Sequence, residues 1–81
     1  MRRVERYWRT PFGRWIGAVS VQRVVAGLTV AGCPIGTTAV YHWIAGRRVP
    51  RLPHALALAR LSAGRLAVED VLEHRRLVRE G

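Results

Sequence analysis

Pro34, with Gly32 and Gly36 on either side, decides more about this chain than any other feature. It sits inside the run Val24 to Gly46, which carries no charged residue. Such a run is long enough to cross a bilayer, for which about 20 apolar residues suffice. A proline cannot donate to a helical ladder, and the glycines beside it favour a turn. The run also holds Gly27, Thr29, Thr37, Thr38 and His42, and few large aliphatic side chains. We therefore expect two short helices joined by Cys33-Pro34-Ile35-Gly36, and no membrane span.

Further signals cut the rest of the chain in the same way. Thr10-Pro11 reads as a helix start, with threonine as cap and proline at the first helical position. Phe12, Trp15, Ile16 and Val19 follow at core spacing. Ser20 is the next cap, and Val21, Val24, Val25 and Leu28 line one stripe of a helix that ends near Gly32. A third helix is expected over 37–46, with Thr37 or Thr38 as its cap and Gly46 in the left-handed conformation that closes it. Val40, Trp43 and Ile44 share its buried face, whereas Tyr41, His42 and Ala45 look elsewhere.

Arg47 to Pro53 is expected to be extended, since residues before Pro50 and Pro53 are pushed out of the helical region. Pro53 opens a fourth helix with Leu56, Leu58, Ala59 and Leu61 as its apolar residues, closed by Gly64. Arg65-Leu66-Ala67 is a linker that could add a short strand. A fifth helix runs from about Val68 to Val78, buried along Val68, Val71, Leu72, Leu77 and Val78. Glu69 and Asp70 in its first turn and Arg75, Arg76 and Arg79 late complement the helix dipole. The fold expected is all-α, a compact bundle of about five short helices in one domain over 10–80, preceded by a basic, aromatic arm over 1–9.

Charge narrows the function. The chain has 81 residues, a formal net charge of +9, and fourteen basic residues, all arginine. From Arg6 to Val68 there is no acid; the acids other than Glu5 lie at Glu69, Asp70, Glu73 and Glu80. This part of the chain suits a polyanion, and arginine's planar fork matches phosphates and guanine edges. An all-arginine choice is equally what a GC-rich genome produces. The lone Cys33 cannot form an internal disulfide and reads as a buried thiol. Cys33, His42, His54 and His74 share no ligand spacing, so no metal and no cofactor is expected. No paired carboxylates and no nucleophile-base pair stand out, so an enzyme is not expected. The expected location is the cytoplasm, at the nucleoid.

The run Ala39-Val40-Tyr41-His42-Trp43-Ile44-Ala45-Gly46-Arg47-Arg48-Val49-Pro50 resembles the recognition-helix segment of small Cro-type and YdaS-like helix-turn-helix proteins, which are phage repressors and antitoxin-like regulators. Leu61-Ser62-Ala63-Gly64-Arg65, leading into Glu69-Asp70, is similar to that family's tail. The likeness covers roughly residues 20 to 72. It implies a lambda-repressor-like fold with base contacts from Gly36, Thr37, Thr38, Tyr41 and His42. It puts Ile35, Val40 and Trp43 in buried positions and Ala39 against the second helix. The turn departs from the pattern: Pro34 stands where the family has its turn glycine, and Gly32 ends the second helix early.

These readings converge on a sequence-specific regulator. Arg47, Arg48 and Arg51, beside the third helix with no acid near, are expected on phosphates, and Arg14 and Arg23 are further candidates unless they pair with Glu69 or Asp70. The expected partners are double-stranded DNA and a second copy of the chain, held through the fifth helix or the N-terminal arm. A protein partner, such as a toxin or a host enzyme, is the rival expectation. Non-specific nucleic-acid binding is the other.

Overall fold

The computed structural model describes residues 9–80. It places five helices in this span and no strand among the described residues: α1 Pro11–Val19, α2 Val21–Val30, α3 Thr37–Ile44, α4 Leu52–Leu61 and α5 Val68–Glu80. The all-α expectation holds. The short strand considered for Arg65 to Ala67 does not form; the Leu66 N–H goes instead to Ser62 Oγ at 2.9 Å, and the Leu66 side chain is buried. Of the expected arm, Met1 to Arg9, only Arg9 falls within the described residues, and it is exposed. No helix among the described residues is long and apolar enough to cross a membrane, because the uncharged run is divided at the turn after α2.

Local chemistry explains most boundaries. Thr10 caps α1, its Oγ1 accepting from the Gly13 N–H at 2.9 Å, and Pro11 takes the first position. Only Ser20 separates α1 from α2. To turn the chain at one residue it adopts φ 94° and ψ 149°, a region that costs side-chain-bearing residues about 1–3 kcal/mol. α2 and α3 each end in a Schellman arrangement. Cys33 N–H reaches Leu28 O and Gly32 N–H reaches Thr29 O after α2; Arg47 N–H reaches His42 O and Gly46 N–H reaches Trp43 O after α3. Gly32 and Gly46 have the positive φ this closure needs. The third helix is thus two residues shorter than the expected 37–46, with Ala45 and Gly46 forming its closing turn.

α4 corrects two expectations. It begins at Leu52, with Pro53 second, so Leu52 is helical although it precedes a proline. Its left-handed exit starts at Ala63, one residue before Gly64. Its inward face is Ala55, Ala57 and Leu58, whereas Leu56 and Leu61 are only partly covered, with Leu61 lying against Gly27 of α2. The alanines let the helix approach its neighbours closely, and bulk turns outward. α5 likewise buries Val71, His74 and Val78, with Leu72 exposed.

One core joins all five helices, with Phe12, Trp15, Ile16, Val24, Leu28 and Val40 at its centre and Trp43, Leu58 and Val71 beside them. α2 packs against α1, α3 and α4, and α5 packs against α1, α3 and α4. α3 is therefore held between α2 and α5, with its remaining side outward.

Candidate nucleic-acid interface

α3 is short and one-sided. Val40, Trp43 and Ile44 are buried, as the spacing predicts. Thr37, Thr38 and Tyr41 are exposed, Tyr41 to 57 %, and Ala39 and His42 are half-buried. Ile35, just before the helix, packs against the core.

The cap differs from expectation. Neither Thr37 nor Thr38 caps α3: Gly36 occupies the N-cap position, with φ −84° and ψ 161°, and no side chain accepts from the first turn. The threonines enter the helix as its first two residues, where their own N–H groups are among those needing an acceptor. The first helical backbone bond joins Val40 N–H to Gly36 O at 3.4 Å. Gly36 has an ordinary φ, and a Cβ added there would meet nothing within 4 Å. The fold does not call for glycine at this position. Its effect is to leave the N-terminal end of α3 uncovered, with orphan N–H groups that favour an anion or a base-edge acceptor.

The other end of α3 carries the arginines. The carbonyl of His42 accepts from both Arg47 N–H at 2.9 Å and Arg48 N–H at 3.3 Å, which holds that pair at the helix terminus. Arg51 follows as the residue before α4. All three are exposed, and among the described residues none forms an ion pair. The ion pairs among the described residues are on α5, where Arg76 meets Glu80 at 2.8 Å and Glu73 at 3.4 Å. Arg14 and Arg23 do not pair with Glu69 or Asp70; Asp70 instead accepts from the Ala67 N–H at 2.9 Å and helps to start α5.

Two residues of α5 bear on this end of α3 without any local signal in the sequence. Gly46 lies against α5, so close that a Cβ there would stand 3.3 Å from Val78 Cγ1 and 3.7 Å from the Arg75 carbonyl. The Arg75 backbone therefore flanks the turn bearing Arg47 and Arg48, and its Nε is buried with no hydrogen-bond partner among the described residues. Arg76 and Arg79 on the same helix are exposed, whereas Arg75 is half-buried. His74, fully buried, binds the Ile44 carbonyl through Nε2 at 2.8 Å, and this fixes the last turn of α3 to α5. Burial holds the His74 pKa below its ordinary value, opposed in part by the bond to Ile44.

Among the described residues no group of three His, Cys, Asp or Glu side chains could hold a metal ion. Comparison of the chain with protein-family models, with curated proteins and with solved structures finds no match.

Proposed function

We propose that this protein is a sequence-specific DNA-binding transcriptional regulator, of the repressor type found in phages and mobile elements. In this reading α2 and α3 act as a helix-turn-helix, with α3 entering the major groove N-terminus first. The connection over 31–36 is longer than the usual turn of roughly 3–4 residues in that motif. Gly36, Thr37, Thr38, Tyr41 and His42 meet base edges, and Arg47, Arg48 and Arg51 bind phosphates.

The observation that carries this reading is the uncapped, uncovered N-terminal end of α3, with exposed threonines and Tyr41 behind it and, at the far end, exposed arginines that form no ion pair among the described residues. The resemblance of residues 39–50 to Cro-type and YdaS-like recognition segments points the same way. One half-site gives so small a domain little specificity, so two copies would bind an inverted repeat with recognition helices about 34 Å apart.

The test is selection of bound sites from a random duplex pool, followed by titration of the selected duplex at two salt concentrations. An enriched inverted repeat with half-sites about one turn apart supports the proposal. Salt-sensitive binding to every duplex, with no enrichment, would reduce α3 and its arginines to a general polyanion surface.

A further inference from the structure

A second surface has chemistry that DNA binding does not use. α4 reads LPHALALARL and is apolar nearly all round. Helices of that composition are normally covered on both sides. Here Ala55 and Leu58 face the core, while Leu52 and Leu56, four residues apart, stand 57 % and 42 % exposed. Arg60 continues the same stripe.

Beside this stripe, α4 and the C-terminal end of α2 enclose a groove of about 280 Å³ lined by Ala31, Cys33, Pro53, Leu56, Leu61 and Arg60. Val30, the last residue of α2 and the neighbour of Ala31, is 90 % exposed. Single exposed aliphatic residues are ordinary on any surface; here Leu56 and Leu61, 42 % and 38 % exposed, stand together in one groove.

The charge around the groove selects its occupant. Arg60 lines the groove, is exposed and forms no ion pair among the described residues. α2, α3 and α4 contain no acid. A second copy docked here through the same face would set arginines against arginines, with nothing on that face to neutralise them. An apolar helix edge flanked by carboxylates satisfies both the leucines and Arg60. We propose that the α2–α4 groove docks an acidic amphipathic helix of a protein partner, with its apolar side chains at helical spacing in the groove and a carboxylate on Arg60. This inference stands independently of the DNA reading.

The probe is a synthetic amphipathic helix with leucines at i, i+4 and i+7 and glutamates on the flanks, titrated into the isotope-labelled full chain. Amide shifts should concentrate on Ala31, Cys33, Leu56 and Arg60. Leu56→Glu and Arg60→Glu, both at exposed positions, should each weaken the peptide by about tenfold or more. Arg60→Glu should also raise affinity for a lysine-flanked version of the peptide. Both variants should melt as the parent does. The proposal is overturned if the peptide shifts nothing, if its shifts fall on α3 and Arg47 to Arg51, or if Arg60→Glu leaves its affinity intact. Sedimentation that shows a dimer broken by Leu56→Glu would assign the groove to a second copy and overturn it equally.

Discussion

The hydroxyl of Thr10 lies 2.7 Å from Nδ1 of His74, a residue 64 positions further along the chain. The other ring nitrogen, Nε2, lies 2.8 Å from the Ile44 carbonyl. A carbonyl only accepts, so the ring proton is on Nε2, and Nδ1 accepts from the Thr10 hydroxyl. The same hydroxyl oxygen accepts from the Gly13 N–H. One buried imidazole, edge-on to Phe12 at 5.0 Å, thus ties the cap of α1 and the middle of α5 to the last turn of α3. The element proposed to meet DNA is held at one end by this tie.

Thr10→Ala should therefore destabilise the fold more than a lost cap alone. An N-cap is worth about 1 kcal/mol, and a buried acceptor left without its donor adds about 1–3 kcal/mol. Denaturant unfolding should show a loss of about 2–3 kcal/mol, and Thr10→Ser should recover most of it. A loss no larger than the cap would mean that the contact with His74 contributes nothing.

Acid should weaken the fold through His74. Its pKa is lowered in the folded state, by burial first, so the unfolded chain takes up the proton at higher pH than the folded one. Stability is then complete above the ordinary histidine value of 6.5. It falls as the pH drops below that value, until the folded-state pKa is passed. Melting temperatures across this window should show the slope in the parent chain. His74→Gln, whose amide can still donate and accept, should remove it.

Ser20→Gly should stabilise. Relief of the φ 94° conformation is worth about 1–3 kcal/mol, whereas glycine in place of serine as a cap loses only a few tenths. The existing cap bond, Arg23 N–H to Ser20 Oγ, is long at 3.4 Å. A net gain of about 1 kcal/mol in denaturant unfolding is expected; an unchanged midpoint would show that Ser20 carries no strain.

Gly36→Ser separates folding from binding. The φ of −84° suits any residue, and the site is open, so stability should hold or rise by a few tenths of a kcal/mol as serine caps α3. Affinity for the selected duplex should fall, by about 1 kcal/mol or more, as the uncovered end is filled. Equal affinity in the variant would remove this end of α3 from the interface.

The arginines and the α3 face should respond differently to substitution. Arg48→Ala should weaken all duplexes alike and reduce the salt slope by about 1. His42→Ala should change preference at one base pair by roughly 1–3 kcal/mol if its ring makes a specific contact. If it alters neither affinity nor preference, His42 is not a reading residue.

The sequence by itself determined the all-α class, the division of the uncharged run, and the helix boundaries marked by Thr10, Ser20, Gly32 and Gly46. Those features rest on local stereochemistry: Thr10 before Pro11, Ser20 between two apolar stripes, and Gly32 and Gly46 at left-handed closures. The buried edges of α1, α2 and α3 were equally legible, because each sets a stripe of large apolar side chains against small or polar residues. Tertiary structure decided the rest. α4 is apolar on both sides, so periodicity cannot choose between Leu56 and Ala57; contact with α2 and α5 selects the small residues as the inward face. The burial of His74 depends on a threonine and a carbonyl far away in the chain, and no local pattern encodes such a partnership. The uncovered end of α3 was decided the same way: the turn after α2 delivers Gly36 to the cap position, one residue ahead of the threonines that carry the capping oxygens.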